Sequence, residues 1–391
     1  MAVIVFWLTL LSLVIWIGLL SLWGQFWRVD QQLELGDVPC NVSTLPTVCA
    51  VIPARNEAEL LPITLRSLLL QDYPGSFNIF LVDDHSTDGT ANFAEGVAFA
   101  VNKRQNLHIV SSTSLPPGWT GKLWAMEQGI EKAVETSLRT PDYFLLTDAD
   151  IEHDSSNLSR LVAKAVAEDL DLVSVMVRLR CESFWELLLI PAFVFFFQKL
   201  YPFRWVNQPK NKIAAAAGGC ILIRREALER IGGLAVIRQA LIDDCALAQA
   251  VKSSQGQIWL GLSALTRSLR PYDSLETIWD MVARSAYTQL NYSPLLLVGS
   301  VLGMILVYLV PPVGMILGGL WGNLAIAVTG LLGWLLMTLA YWPMIRFYQR
   351  SPVLAFCLPA IAFLYTLMTL DSALRHWQGR GGAWKGRVYK V

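Results

Sequence analysis

The sequence predicts an α/β domain with a mostly parallel, doubly wound sheet, flanked by apolar segments long enough to cross a bilayer. Three observations carry this reading. Between about residues 47 and 290, short β-branched runs alternate with amphipathic stretches, a pattern that builds parallel sheets covered by helices. Two of the runs end in clustered carboxylates, Asp83-Asp84-His85-Ser86-Thr87-Asp88-Gly89-Thr90 and Asp148-Ala149-Asp150, and open α/β sheets gather ligands beyond their strand ends. Outside that region the chain is nearly all apolar. Of its 391 residues, 54% are hydrophobic and only 16% are charged, against about 25% charged for an ordinary soluble domain.

The formal net charge is zero and no Lys/Arg block with interleaved aromatics occurs, so nucleic acid is not an expected partner. The six cysteines, at positions 40, 49, 181, 220, 245 and 357, show no Cys-x-x-Cys spacing. That argues against a disulfide framework or structural zinc and fits a reducing compartment.

In chain order, Val3 to Trp23 is an apolar run of about twenty residues, enough to cross a bilayer. No Lys or Arg precedes it and no small-residue cleavage site follows, so residues 1–26 are expected to be a retained anchor. Arg28 then places the next domain, residues 47–290, on the cytoplasmic side. Within it, Val48–Pro53, Ile79–Asp83, Leu107–Val110 and Tyr143–Thr147 read as strands. Glu57–Leu70, Thr90–Lys103 and Lys122–Glu135 read as the helices joining them. Residues 182–203 are apolar but carry Glu186 and Pro191, and are expected along the membrane surface.

Residues 294–371 divide into about three transmembrane or re-entrant spans, near 294–317, 319–344 and 352–370. The divisions are Pro311-Pro312 with Gly318-Gly319, and the loop Arg346-Phe347-Tyr348-Gln349-Arg350. Four crossings from an outside N-terminus would leave the basic tail, residues 372–391 (Arg375, Arg380, Lys385, Arg387, Lys390), outside. That opposes the positive-inside tendency, so one segment is expected to be re-entrant or interfacial, or the span count is wrong.

Alternation along an extended chain points Asp148 and Asp150 to one side, where one Mg2+ or Mn2+ could meet both carboxylates. Pro53-Ala54-Arg55-Asn56-Glu57 reads as a strand-to-helix turn with Asn56 as N-cap and Glu57 in the first turn. Arg55 is left over, suited to a phosphate or a base. Asp83 and Asp84 exceed what capping requires and could hold a ribose. Lys122 follows Gly121 at a predicted helix start, where it would add charge to an anion-attracting terminus or be simply solvated. Gly218-Gly219 allow close backbone approach to a ligand or a tight turn. Asp243-Asp244 open a helix, where acids are ordinary dipole partners. Leu275, Ile278, Trp279, Val282 and Ala286 recur at helical spacing; Arg284 lies off that stripe, solvated or headgroup-binding.

With these motifs the chain resembles the family 2 glycosyltransferases, which have a GT-A type (Rossmann-like) nucleotide-sugar domain. The matches are Val51-Ile52-Pro53-Ala54-Arg55-Asn56-Glu57, Asp83-Asp84-x-Ser86-x-Asp88-Gly89-Thr90, Gly121-Lys122, Asp148-x-Asp150, Gly218-Gly219 and Asp243-Asp244, in the family's order across most of residues 48–290. Pro116-Pro117-Gly118-Trp119-x-Gly121-Lys122 and the stretch from Phe184 to Phe193 look like the hopene-associated glycosyltransferases of bacteria. Trp384-Lys385-Gly386-Arg387-x-Tyr389 looks like the tail of membrane glycosyltransferases related to ceramide glucosylation.

The resemblance implies a bacterial inner-membrane enzyme with inverting chemistry. It would move one sugar from a nucleotide-diphosphate sugar to a lipid acceptor, a hopanoid or another isoprenoid. It implies that Asp83 or Asp84 holds the nucleoside with Arg55 and Lys122 nearby, and that Asp148 and Asp150 hold a metal–diphosphate, the cation being Mg2+ or Mn2+. Pro53, Glu57, Gly218 and Gly219 fall on substrate-binding motifs. Asp244 would be the general base, with Asp243 standing where the family has Glu. Arg284 matches the Arg of a Gln/Arg-x-x-Arg-Trp motif whose flanks are replaced by Met281 and Ser285, so processive chain extension is not expected. Two other readings are a polyprenyl-phosphate acceptor and a non-catalytic membrane protein that binds nucleotide sugar or lipid. The second would be expected to have a broken metal pair or a missing base, and neither is seen.

Overall fold

The computed structural model describes residues 1–35, 45–137 and 139–380, and the backbone alone of 383–384 and 387–388. An eight-stranded sheet forms the domain, in the order β3-β2-β1-β4-β7-β6-β8-β5. Strands β1 (Val48–Ala54), β2 (Phe77–Asp83), β3 (Leu107–Ser111) and β4 (Tyr143–Thr147) are parallel neighbours. They lie within a residue or two of the runs read from sequence. The far half is mixed, with β5 (Ile151–Glu152), β6 (Leu172–Arg178), β7 (Cys220–Arg224) and β8 (Ile258–Ser268). Here β7 runs antiparallel to β4 and β6, while β6 and β8 are parallel.

Every residue of β1 is buried, which requires cover on both faces. Cys49 and Val51 face one core with Leu123, Met126 and Ile130 of α4 (Gly121–Thr136). Val48, Ala50 and Ile52 face the other with residues of α2 (Leu61–Leu69), α3 (Thr90–Ala100) and α5 (Asn157–Ala167). The α4 packing is close: a Cβ on Gly129 would stand 2.5 Å from Val51 Cγ1.

Helix α2 starts four residues later than expected. Asn56 is not its cap; with φ of 53° it sits in a left-handed turn and accepts from Thr87 N at 2.9 Å, tying two strand-end loops together.

Among the described residues, four helices are long and apolar enough to cross a membrane: α1 (Ala2–Leu22), Pro294–Leu320, Leu324–Phe347 and Pro352–Trp377. The segment expected along the membrane surface forms α6 (Phe184–Leu200), a helix opened by a Ser183/Glu186 capping box. It is wedged between the domain and the apolar helices, with Phe195 against Phe26 and Tyr341, and Phe196 against Tyr308 and Tyr365. Two short helices, α7 (Phe203–Val206) and α8 (Arg225–Arg230), precede α9 (Asp243–Ser253), α10 (Leu275–Ala283) and α11 (Ala286–Gln289).

Pro311-Pro312 does not divide the next span. The helix passes from α12 (Pro294–Met304) through a π-helical turn, Ile305–Leu309, into α13 (Val310–Leu320). Pro311 has no N–H to give the carbonyl four residues back. Trp16 Nε1 supplies that hydrogen bond to Val307 O at 2.8 Å, as an apolar surrounding demands.

The chain turns at residues 321–323 into α14 (Leu324–Phe347), and the last span ends in α15 (Leu358–Trp377). This last segment meets the domain at both ends. Just before it, Tyr348 O accepts from Arg178 at 3.1 Å and Arg350 donates to Cys181 O. At its close, Asp371 accepts from Trp279 at 2.7 Å and Arg375 pairs with Asp280 at 2.6 Å. Lys385, Lys390, Tyr389 and the side chains of Trp384 and Arg387 lie outside the described residues.

Candidate active site

A cavity of about 540 Å3 opens at the carboxyl ends of β1 and β4, lined among others by Pro53, Glu57, Lys122, Asp148, Asp150 and Asp243. Asp148 and Asp150 both reach it, though not by strand alternation. They flank a turn between β4 and β5, with Ile151 N donating to Asp148 O at 3.4 Å.

Thr120 caps α4 through its side chain, which sets Lys122 in the first turn facing inward rather than to solvent. Its Nζ lies 2.9 Å from Asp148 Oδ1 and 3.1 Å from Asp243 Oδ2. Burial disfavours the ammonium, but Asp148, Asp243 and Asp244 outweigh it and hold the pKa above the ordinary lysine value. Asp148 is pushed up by burial and by Asp150, against the pull of Lys122.

Arg270, just beyond β8, lies 2.7 Å from both Asp150 Oδ2 and Glu57 Oε1. Sequence reasoning missed it, because β8 itself was not recognised and Arg270-Pro271 had no strand end to mark. The opposite wall comes from α10 and the close of α15: Thr277, Asp280, Arg284, Arg375 and Arg380. Among the described residues, no hydrogen bond or ion pair engages the Arg284 or Arg380 side chain, and both residues are exposed.

Of the two acids opening α9, it is Asp243 that lines the cavity. Asp244 is turned to backbone, its Oδ2 accepting from Gly218 N at 2.8 Å and its Oδ1 from Cys245 N at 2.7 Å. Burial, then the Asp243 charge, pushes its pKa up to about 6. Gly218 and Gly219 do not line the cavity. A Cβ on Gly218 would stand 3.3 Å from Lys122 Nζ and 3.4 Å from Asp244 Oδ2, so the glycine is needed for close approach to side chains.

Arg55, Asp83 and Asp84 are not on the cavity wall either. Asp84 is 2% exposed, and Arg55 Nη1 donates to its backbone oxygen at 3.0 Å. Asp83 Oδ1 accepts from Ser86 N at 3.1 Å, and Asp88 from Ala58 N at 3.0 Å. The first acidic segment thus helps to stitch the loops after β1 and β2.

A divalent cation fits the cavity by the chemistry of its donors. Asp148 and Asp150 both face it, and each meets a cationic side chain, as if positive charge belonged there. No group of three or more His, Cys, Asp or Glu that could hold a metal occurs among the described residues, so Mg2+ or Mn2+ would need ligand phosphate oxygens and water as well. That is the usual manner of these ions.

Residues 49–232 match the family described as Glycosyl transferase family 2. Over 124 residues, 32% of the chain, it is 32% identical to an undecaprenyl-phosphate mannosyltransferase of Micrococcus luteus. The match spans 46% of that relative's length. A mannosyltransferase from Pyrobaculum calidifontis, solved in complex with GDP-Man and Mn2+, aligns with a TM-score of 0.55 at 18% identity, covering 95% of this chain and 99% of that one. The fold is therefore of the GT-A kind.

Proposed function

We propose that the protein transfers one sugar, with inversion, from a nucleotide-diphosphate sugar to a lipid acceptor at the membrane. The observation that carries this reading is the convergence of Asp148, Asp150, Lys122 and Asp243 on one cavity whose far wall is the end of an apolar helix. The diphosphate belongs at the Asp148/Asp150 side. Arg55, Asp83 and Asp84 are assigned to the nucleoside at the neighbouring strand ends. A Mg2+ or Mn2+ ion held by Asp148 and Asp150 would neutralise charge on the departing diphosphate.

The acceptor oxygen attacks the anomeric carbon opposite the diphosphate, and its proton passes to Asp244 as that bond forms. A general base works best with a pKa near the operating pH, within about 2.6–3.2 Å of the proton's oxygen or through one water. The upward shift of Asp244 supports that role, with Asp243 beside it at the wall. Arg28, after the first span, supports a catalytic domain on the cytoplasmic face of a bacterial inner membrane.

Membranes carrying the protein, given a panel of radiolabelled sugar nucleotides, are expected to yield one labelled lipid. The label should be lost with EDTA and restored by Mg2+ or Mn2+. Metal-independent donor binding with neither hydrolysis nor transfer would overturn the enzymatic reading and favour a non-catalytic binder.

A second reading places a phosphate on the acceptor, as in a polyprenyl phosphate. Each acid on the cavity wall already has a cationic partner: Arg270 for Glu57 and Asp150, Lys122 for Asp148 and Asp243, Arg375 for Asp280. With the donor diphosphate matched by a divalent cation, Arg284 and Arg380 remain as the cavity cations that no acidic side chain engages among the described residues. The acceptor of the Micrococcus luteus relative, undecaprenyl phosphate, supports this. Replacing both arginines by Gln is expected to raise the acceptor KM about tenfold with the donor KM unchanged. A rise in donor KM instead would assign them to the diphosphate.

A further inference from the structure

Behind the cavity lies a buried chain of hydrogen bonds that the proposed reaction does not use. Thr147, the last residue of β4 and next to Asp148, donates its hydroxyl to Gly219 O at 2.7 Å. The same oxygen therefore accepts from His153 Nε2, 2.9 Å away. On the other side of the ring, Asn157 Nδ2, which can only donate, lies 2.9 Å from Nδ1. The two contacts require the proton on Nε2. Thr147, His153 and Asn157 are at most 4% exposed. Burial alone pushes the His153 pKa down to about 3, so the ring stays neutral.

The strap of residues 217–219 that this chain holds is the one that grips Asp244. Ser174 Oγ accepts from Ala217 N at 2.8 Å and donates to Ala217 O at 3.2 Å, fixing the peptide whose N–H belongs to Gly218. That N–H donates to Asp244 Oδ2. Room to shift is small, because a Cβ on Gly219 would stand 3.2 Å from Val177 and 3.3 Å from Ile151. Ser174 and Thr147 thus anchor the strap at its two ends, and His153 sets which way the Thr147 hydroxyl points. A buried histidine needs partners in any fold. What sets this one apart is that its chain ends on the backbone beside a site acid.

We propose that His153, held as the Nε2–H tautomer, is a positioning residue. Through Thr147 and the Gly219 carbonyl it fixes the Gly218 N–H and so the Asp244 carboxylate. This rests on the reading of Asp244 as the base.

Thr147→Val keeps the side-chain shape and removes the hydroxyl, whereas Thr147→Ser keeps it. Thr147→Val is expected to lower kcat about 10- to 100-fold per folded protein, with donor KM little changed and the melting temperature lowered, because His153 Nε2–H and Gly219 O lose their partner. The acid limb of kcat should move to higher pH, because the Gly218 N–H stabilises the charged carboxylate. The other groups facing Asp244, namely Asp243, Lys122, Cys245 and Tyr201, are untouched by these variants. Thr147→Ser should restore both rate and limb, and adding His153→Phe to Thr147→Val should cost little further, since one chain is broken once.

An unchanged kcat and acid limb in Thr147→Val would overturn the proposal and leave His153 as an ordinary satisfied core residue. A lowered melting temperature with unchanged rate per folded protein would do the same. Asp244→Asn measured alongside separates the two levels. Near wild-type turnover there removes the base itself, whereas an inactive Asp244→Asn beside an indifferent Thr147→Val removes only the relay.

Discussion

Asp150→Asn is expected to cut sugar transfer by about 100- to 1,000-fold at saturating donor. The substitution keeps volume and removes the charge that Arg270 now meets at 2.7 Å. Arg270 retains Glu57 at the same distance, so most of the local scaffold survives and the loss should appear in chemistry rather than folding. Asp150 is also 8% exposed, with Ser268 Oγ 3.5 Å from its Oδ2. Titration of Mn2+ in the presence of the nucleoside diphosphate, followed by electron paramagnetic resonance, should show weaker binding in the variant. Wild-type turnover together with wild-type Mn2+ affinity would remove Asp150 from the ion's coordination.

The second large effect is expected at Asp244, where Asn should lower kcat by about 100- to 10,000-fold while donor binding is kept. The pH dependence gives a separate check. The folded pKa of about 6 lies above the ordinary carboxylate value of 3.8. Asp244 is therefore ready to accept a proton above about pH 6, and kcat should fall as pH drops through that value. Removing the neighbouring charge with Asp243→Asn takes away one of the causes that raise it, so the limb should move to lower pH. A phosphate acceptor is already ionised and needs no strong base. An Asp244→Asn variant that remains active would therefore favour the second reading.

How much of this was legible in the residues depended on burial. β1, β2 and β4 are strands covered on both faces or nearly so, and such strands appear as continuous apolar runs bounded by turns. The far half is different. β5 has two residues, and β6 and β7 pair across antiparallel neighbours separated by the α6 excursion. No local period announces that arrangement. Arg270 was missed for that reason alone: the residue is ordinary, and only its place after β8 makes it a partner of Asp150 and Glu57. The Asp148/Asp150 convergence was read correctly but for an incomplete reason, since a turn rather than pleating delivers it. Capping logic failed at Asn56, where a contact between loops thirty residues apart replaced a helix start. Asp83 and Asp84 exceeded what capping requires, and sequence cannot show that Ser86 N and Arg55 engage them.

The last apolar segment has a consequence for how the chain is threaded. It begins beside Arg178 and Cys181 and finishes beside Trp279 and Asp280; on the proposed reading it would dip and come back like a hairpin hung from one ceiling. With an external start, three traverses then suffice, an odd number. Arg375 and Arg380 would then share a compartment with the sheet, in keeping with the positive-inside tendency. On the proposed reading, one side of the reaction chamber is anchored in oil and the other in water. A lipid could keep its tail among the chains of its neighbours while its head receives the sugar.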